Sequence, residues 1–241
     1  MKFFVLSDIH GFYTELRQAL DESGYDPRDP GQLLIHCGDC FDRGGEALRV
    51  LDYLESLPRK VLLRGNHEDM LENALIDRCI NYVHERNGTD LTIEQLFGGG
   101  CIDAYGRLTL DPAMRRRLLA FMSGMTDYYE TTHYVFTHGW VPLVIPEYDP
   151  RHPVPYPDWR SAGPDTWRSA RWLEWQQVVG AGISLPDKTV VCGHRPARMG
   201  CMFDPTRDGD DSSPFFGRGT IAIDACTVRS HRVNVLVLED E

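Results

Sequence analysis

A chain of 241 residues, 42% of them hydrophobic, can bury one substantial core. Its formal net charge of -11, from 25 basic and 36 acidic side chains, speaks against a nucleic-acid or anionic-membrane partner. Seven cysteines without the spacing of a disulfide framework point to a reducing, cytoplasmic setting.

Residues 3–6 are a short apolar run. It superficially resembles a secretory signal, but it leads straight into Asp8 and His10 and is read as a core strand. A helix is predicted over 14–22. Apolar 33–36 with a helix over 46–56, then apolar 61–63 with a helix from 68 to about 78, repeat the unit. Such alternation predicts βαβ units and a mainly parallel sheet. Polar residues at the strand ends would then gather beyond the carboxyl edge. Residues 79–125 read as helical, broken by the glycines at 98–100; the basic run 115–117 is the solvated face of a helix. A strand over 134–137 ends at His138. The Pro- and aromatic-rich stretch 141–167 has the length of a lid or substrate rim. Tyr148, Tyr156 and Trp159 are its candidate rim rings, with loop packing the simpler reading. A helix over 167–179, a strand over 189–192 ending at His194, a polar loop over 204–218 and antiparallel strands over 220–223 and 233–238 complete the chain. No apolar run approaches the roughly 20 residues that cross a bilayer. No repeat or linker interrupts the pattern, so one domain over 1–241 is expected.

Six strand-end residues are metal-type donors. They are Asp8 and His10 in Ser7-Asp8-Ile9-His10-Gly11, Asp39 in Gly38-Asp39-Cys40-Phe41-Asp42-Arg43-Gly44, Asn66 in Arg64-Gly65-Asn66-His67-Glu68, His138 before Gly139, and His194 after Gly193. Carboxylates, imidazoles and an amide oxygen together suit two divalent ions held side by side, a device for phosphoryl transfer. Singly, each has a bland reading as a cap, a turn residue or a satisfied core group; the ordered set argues otherwise. Cys37 and Cys40 flank Asp39 and are read as small buried residues rather than a redox pair. Glu68 is read as first-turn helix chemistry. His36, His84, His133, His152 and His231 lack motif context and are read as structural or surface groups.

In this order and spacing the motifs resemble the calcineurin-like metallophosphoesterases. Within them, the nearest resemblance is to the phosphoprotein phosphatase branch that includes phage lambda protein phosphatase and the bacterial symmetrical diadenosine tetraphosphatases. The resemblance implies an α/β fold, a four-layer αββα sandwich of two mixed β-sheets flanked by helices, in a single metallophosphoesterase domain. It implies two divalent metal ions, manganese first, with iron or zinc compatible. Asp8 and His10 would hold the first ion, Asp39 would bridge, and Asn66, His138 and His194 would complete the second. A hydroxide from a shared water would attack phosphorus. His67 would be the general acid, with Asp42 orienting it. Arg43 and Arg64 match phosphate-holding arginines, and a further one falls equally on Arg171 or Arg168. The chain departs from the family at Ser7, where many relatives have glycine, and at Ala225-Cys226, where Thr-Gly is usual. The second departure touches the substrate loop rather than the metals.

The expected function is therefore hydrolysis of phosphomonoesters, with protein phosphoserine and phosphothreonine as the first substrate class. The alternatives are symmetrical cleavage of a dinucleoside polyphosphate and, from another class, an inactive metal-binding scaffold. The expected partner is a phosphorylated protein, peptide or small phosphoester, with no nucleic acid and no membrane.

Overall fold

The computed structural model describes residues 1–146 and 153–240. In the first half strands and helices alternate: β1 (Lys2–Leu6), α1 (Tyr13–Ser23), β2 (Gln32–His36), α2 (Ala47–Ser56), β3 (Lys60–Leu62) and α3 (Asn66–Asp77). Alternate residues of β1 serve two cores, as the period of a strand requires. Phe4 and Leu6 pack with Leu16, Leu51 and Leu71 from the helices, whereas Phe3 and Val5 point to the opposite face with Leu33 and Ile35.

The middle holds α4 (Tyr82–Asn87), α5 (Thr89–Phe97) and α6 (Pro112–Ser123). Asp111 caps α6 by accepting the Met114 N–H at 2.8 Å, with Pro112 in the first turn. Between α5 and α6 the chain folds back through an Ile102–Leu108 bridge instead of remaining helical.

The second half contains β4 (Tyr128–Glu130), β5 (Tyr134–Thr137), the short ribbon of β6 (Leu143–Val144) and β7 (Val154–Pro155), then α7 (Pro164–Ala170) and α8 (Trp175–Gly180). It closes with β8 (Thr189–Cys192), β9 (Phe215–Gly217), β10 (Thr220–Ala222), α9 (Thr227–Ser230) and β11 (Leu236–Glu239).

One sheet has the order β11-β1-β2-β3 and the other β4-β5-β8-β10-β9. Both are mixed: β1, β2 and β3 run parallel with β11 against them, and β5, β8 and β10 run parallel with β4 and β9 against them. The sheets meet face to face through Phe3, Val5, Leu33 and Ile35 on one side and Phe136, Val191, Ile221 and Ile223 on the other. Each large apolar side chain taken out of water there contributes about 1.5–3 kcal/mol. The outer face of the second sheet packs Val135, Val190 and Ala222 on Trp140, Trp167 and Trp175. The order is thus helix, sheet, sheet, helix, the four-layer α/β arrangement expected from the motifs.

Three expectations need correction. The helix over 167–179 is two helices, because the chain turns at 171–174, where Arg171 is drawn inward. The polar loop over 204–218 contains β9, which pairs with β10. The two tail strands do not pair with each other: β10 lies parallel to β8 and β11 antiparallel to β1, in different sheets. Trp159 takes the simpler of its two readings, loop packing, buried against Tyr128 and Trp167. Tyr148 and His152 lie outside the described residues. Among the described residues, no helix is long and apolar enough to cross a membrane.

Candidate metal centre

Asp8, Asp39 and Asn66 follow β1, β2 and β3, while His138 and His194 follow β5 and β8. All five loops leave the carboxyl ends of parallel strands, so they collect at one rim between the sheets. Their backbones are contorted. Among the described residues nine non-glycines have positive φ; six are in these loops, Asp8 (52°), His10 (47°), Asp39 (62°), Asp42 (72°), Arg43 (68°) and His194 (63°), and a seventh, Cys226 (55°), is in the loop after β10. Asp and His tolerate this region better than most residues, yet each instance costs about 1–3 kcal/mol and persists only where surroundings impose it. Asp8 and His10 each take a left-handed turn, with Ile9 between them, and both side chains are buried. The loops are stitched together by Asp8 N–H to Gly38 O and His10 N–H to Asp39 O, both at 3.0 Å.

Two glycines permit the approach. A Cβ on Gly38, at φ 87°, would stand 2.7 Å from His138 Nδ1, and one on Gly193 would stand 2.1 Å from Asp8 Oδ2. Any side chain at either position would displace a donor.

The donor atoms face one another with too few protons between them. His138 Nδ1 lies 2.8 Å from Cys37 O, and its Nε2 lies 2.8 Å from Asn66 Oδ1 and 3.3 Å from Asp39 Oδ1. Burial and the neighbouring His194 hold this ring neutral, well below the usual histidine range. A neutral ring has one N–H. With that proton on Cys37 O, the Nε2 lone pair confronts two oxygen acceptors, an arrangement that a cation satisfies. At His10, Nδ1 is 2.9 Å from Phe41 O, and Nε2 is 3.9 Å from Asp8 Oδ1 and 3.8 Å from Asp39 Oδ2, with an Arg43 nitrogen at 3.0 Å. Donor atoms of Asp39, His138 and His194 lie within 4.8 Å of one another, as do those of His10, Asp39 and His67. Asp39 is shared by both groups.

The electrostatics agree. Burial pushes His10 down, helped by His67 and Arg43, and takes His194 to about 3. Burial also pushes Asp8 and Asp39 well up, with Asp224 adding to the first and Asp8 to the second. Asp224 itself is pushed up to about 6 by burial. Neutral imidazoles and crowded buried carboxyls are what divalent cations at this spot would favour and discharge. The donor set fits such ions.

Around these donors stand the other expected residues. His67 Nδ1 donates to Asp42 Oδ2 at 2.7 Å. Arg43 reaches His10 Nε2 with one nitrogen (3.0 Å) and His67 Nε2 with another (3.1 Å). Arg64 and Arg171 converge on Asp69, at 2.6 and 2.7 Å, and are braced further by Glu72 and Asp127. Of the two equally weighted arginines, Arg171 is buried in this network and Arg168 is exposed on α7.

Several contributors were not singled out from sequence for this role. Glu68, read only as first-turn chemistry, accepts the N–H groups of Asp39 (2.9 Å), Cys40 (2.8 Å) and Gly65 (2.8 Å). Asp69 joins the arginines, and Thr227 Oγ1 donates to Asp8 O at 2.9 Å. Thr89 and Thr92 hold Asp42. Only Glu68 carried a signal, its place in the Arg64–Glu68 motif. Cys37 and Cys40 are buried free thiols, both pushed up by burial, which leaves them inert.

Residues 1–233 match the family model described as calcineurin-like phosphoesterase. A bis(5'-nucleosyl)-tetraphosphatase PrpE (asymmetrical) of Halalkalibacterium halodurans is 30% identical over 40% of this chain and 42% of its own. Serine/threonine-protein phosphatase 1 of Salmonella typhimurium is 32% identical over 48% and 46%. A symmetrical bis(5'-nucleosyl)-tetraphosphatase of Buchnera aphidicola is 39% identical over 28% and 24%. The chain thus spans less than half the length of these curated relatives. Among solved structures, a cold-active protein-tyrosine phosphatase of a psychrophilic Shewanella superposes with TM-score 0.57 at 16% identity, over 99% of this chain and 75% of its own. That likeness speaks to the fold alone.

Proposed function

This chain belongs to the calcineurin-like phosphoesterase family, and from that premise we propose that the centre around Asp39 hydrolyses phosphomonoesters, with protein phosphoserine and phosphothreonine as the first substrate class. One observation carries the reading: the His138 Nε2 lone pair faces Asn66 Oδ1 and Asp39 Oδ1 with no proton of its own to give either, and Asp39 also belongs to the neighbouring group with His10. In this reading Asp8 and His10 hold one ion, Asp39 bridges, and Asn66, His138 and His194 hold the second. Manganese, iron or zinc suits such mixed donors and supplies charge and an acidified water.

The chain's own groups supply the remainder. Arg43 faces the centre between His10 and His67, where a guanidinium fork can take two phosphate oxygens. Arg64 and Arg171 are held rigid by Asp69, so little side-chain freedom is lost when they take an anion. His67 presents Nε2 inward while Asp42 fixes its Nδ1, the orientation needed to protonate a departing alkoxide.

A second reading, cleavage of a dinucleoside polyphosphate, draws support from the tetraphosphatases among the relatives. The test is a panel of phosphopeptides and diadenosine tetraphosphate with manganese, run on wild type and His67→Asn with product identification. Inorganic phosphate from phosphopeptides supports the first reading. ADP, or AMP with ATP, from the dinucleotide supports the second. Absence of turnover with every divalent metal would favour a scaffold.

A further inference from the structure

Helix α5 carries Thr89, Thr92 and Gln95 at intervals of three, which places them on one helix face. That face grips the turn from Asp42 to Ala47 through five hydrogen bonds. Thr89 Oγ1 donates to Asp42 Oδ2 and Thr92 Oγ1 to Asp42 Oδ1, both at 2.9 Å. Thr92 Oγ1 also accepts the Asp42 N–H at 2.9 Å. Gln95 Nε2 donates to Gly44 O and Gln95 Oε1 accepts the Ala47 N–H, each at 2.9 Å. Both threonines and Asp42 are fully buried.

Within the turn itself Gly44 N–H donates to Asp42 O at 2.8 Å, while the Asp42 carboxylate is held from α5. Asp42 and Arg43 are consecutive left-handed residues, with φ of 72° and 68°. Without outside support such a pair relaxes toward ordinary backbone. The two side chains then move apart from His67, which Asp42 meets at 2.7 Å and Arg43 at 3.1 Å.

We propose that Thr89 and Thr92 are positioning residues for the acid step: they lock both oxygens of Asp42 so that His67 keeps its Nε2 aimed at the leaving oxygen. The inference rests on the acid role given to His67 above. In that step the oxygen of water bonds to phosphorus, keeping one proton on the phosphate formed and releasing the other; the bond from phosphorus to the leaving oxygen breaks, the His67 proton passes to that oxygen, and the released proton restores His67. Thr89 and Thr92 are fully buried behind Asp42, out of reach of a substrate at the rim. Their contribution is therefore felt only where a leaving group needs the proton.

The experiment compares an alkyl phosphoester, a phosphoserine peptide, with p-nitrophenyl phosphate, whose aryl leaving group departs as a stable anion. Thr89→Val and Thr92→Val keep the shape of the side chain and remove the hydroxyl. Each should lower kcat on the phosphopeptide about tenfold or more, a share of the roughly 10²–10⁴ that a positioned acid contributes. The aryl ester should fall far less, with KM little changed on both. Thr89→Ser and Thr92→Ser should restore the phosphopeptide rate. Should a valine variant not fold, Thr89→Ala and Thr92→Ala give the same ratio. Equal losses on the two esters, or no loss, would overturn the clamp. His67→Asn is the reference: if it shows the alkyl-selective loss and the threonine variants do not, the clamp alone fails. If His67→Asn shows no such selectivity, the acid role fails and the clamp with it.

Discussion

Glu68 gathers three N–H groups from two loops with one carboxylate. Its Oε2 accepts the N–H groups of Asp39 and Gly65, and its Oε1 accepts that of Cys40. Glu68→Gln keeps the shape but turns an amide NH2 toward a buried N–H. A buried donor left without an acceptor costs about 1–3 kcal/mol. For a chain of this size each kcal/mol moves Tm by about 2–4 °C, so Glu68→Gln should melt several degrees lower even without metal. Asp39→Asn should behave oppositely in the metal-free protein. Burial and Asp8 disfavour charge on Asp39, so an amide there relieves repulsion and Tm should hold or rise, while metal stoichiometry drops below two. Elemental analysis with paired melts checks both; unchanged stoichiometry in Asp39→Asn would refute the bridging role. At this scale the donors were legible, because each sits at a strand end in a recurring order and all but Asp8 adjoin a glycine. Their supports were not. Thr89 and Thr92 lie 47 and 50 residues from Asp42, and no spacing rule links residues that meet only through the packing of α5. Nor does sequence signal seven left-handed residues, since none of them is glycine.

Edge strand β4 is fastened by Glu130, whose Oε2 accepts Arg160 Nε at 2.7 Å and whose Oε1 lies 3.0 Å from Lys188. Arg160 first, then Lys188, pulls its carboxyl from an ordinary 4.5 to about 2. A carboxyl depressed on folding stabilises above its unfolded value and loses that contribution as pH falls through its folded value. Here the window runs from about 4.5 down to about 2. The group is about a fifth exposed, so solvent screening brings the contribution to about 1 kcal/mol. Glu130→Gln should accordingly melt about 2–4 °C below wild type at neutral pH, and the gap should narrow as pH falls through that window. A gap independent of pH would show that the clamp is steric rather than ionic. The βαβ half was legible because apolar runs and helical periods alternate cleanly there. β4 and β9 are three residues each, too short for an alternating pattern to register. The partners of β10 and β11 depend on which sheet each joins, a fact of tertiary packing.

Across the whole molecule the centre sits where the two sheets open at one end. Asp8, His10, Asp39 and Asn66 come from loops of the first sheet, and His138 and His194 from loops of the second. Ions held by both sets would tie the sheets together at that rim, while Phe3, Val5, Phe136 and Val191 hold them independently lower down. Ion binding to the folded chain alone adds about 2.7 kcal/mol at a hundredfold excess over Kd, or roughly 5–11 °C in Tm. Chelation should remove that increment without unfolding the sandwich. It should also act locally. Without cations the crowded carboxyls of Asp8 and Asp39 and the strained turns lose their counterweight, so the rim should open first. Hydrogen exchange after chelation should therefore quicken at the backbone amides of 8–11, 39–44 and 193–194, while those of β1, β2, β5 and β8 stay protected. Uniform acceleration through the strands would mean that the ions hold the whole fold. No change at the rim would mean that these loops are set by packing alone and the donors meet without any cation to serve.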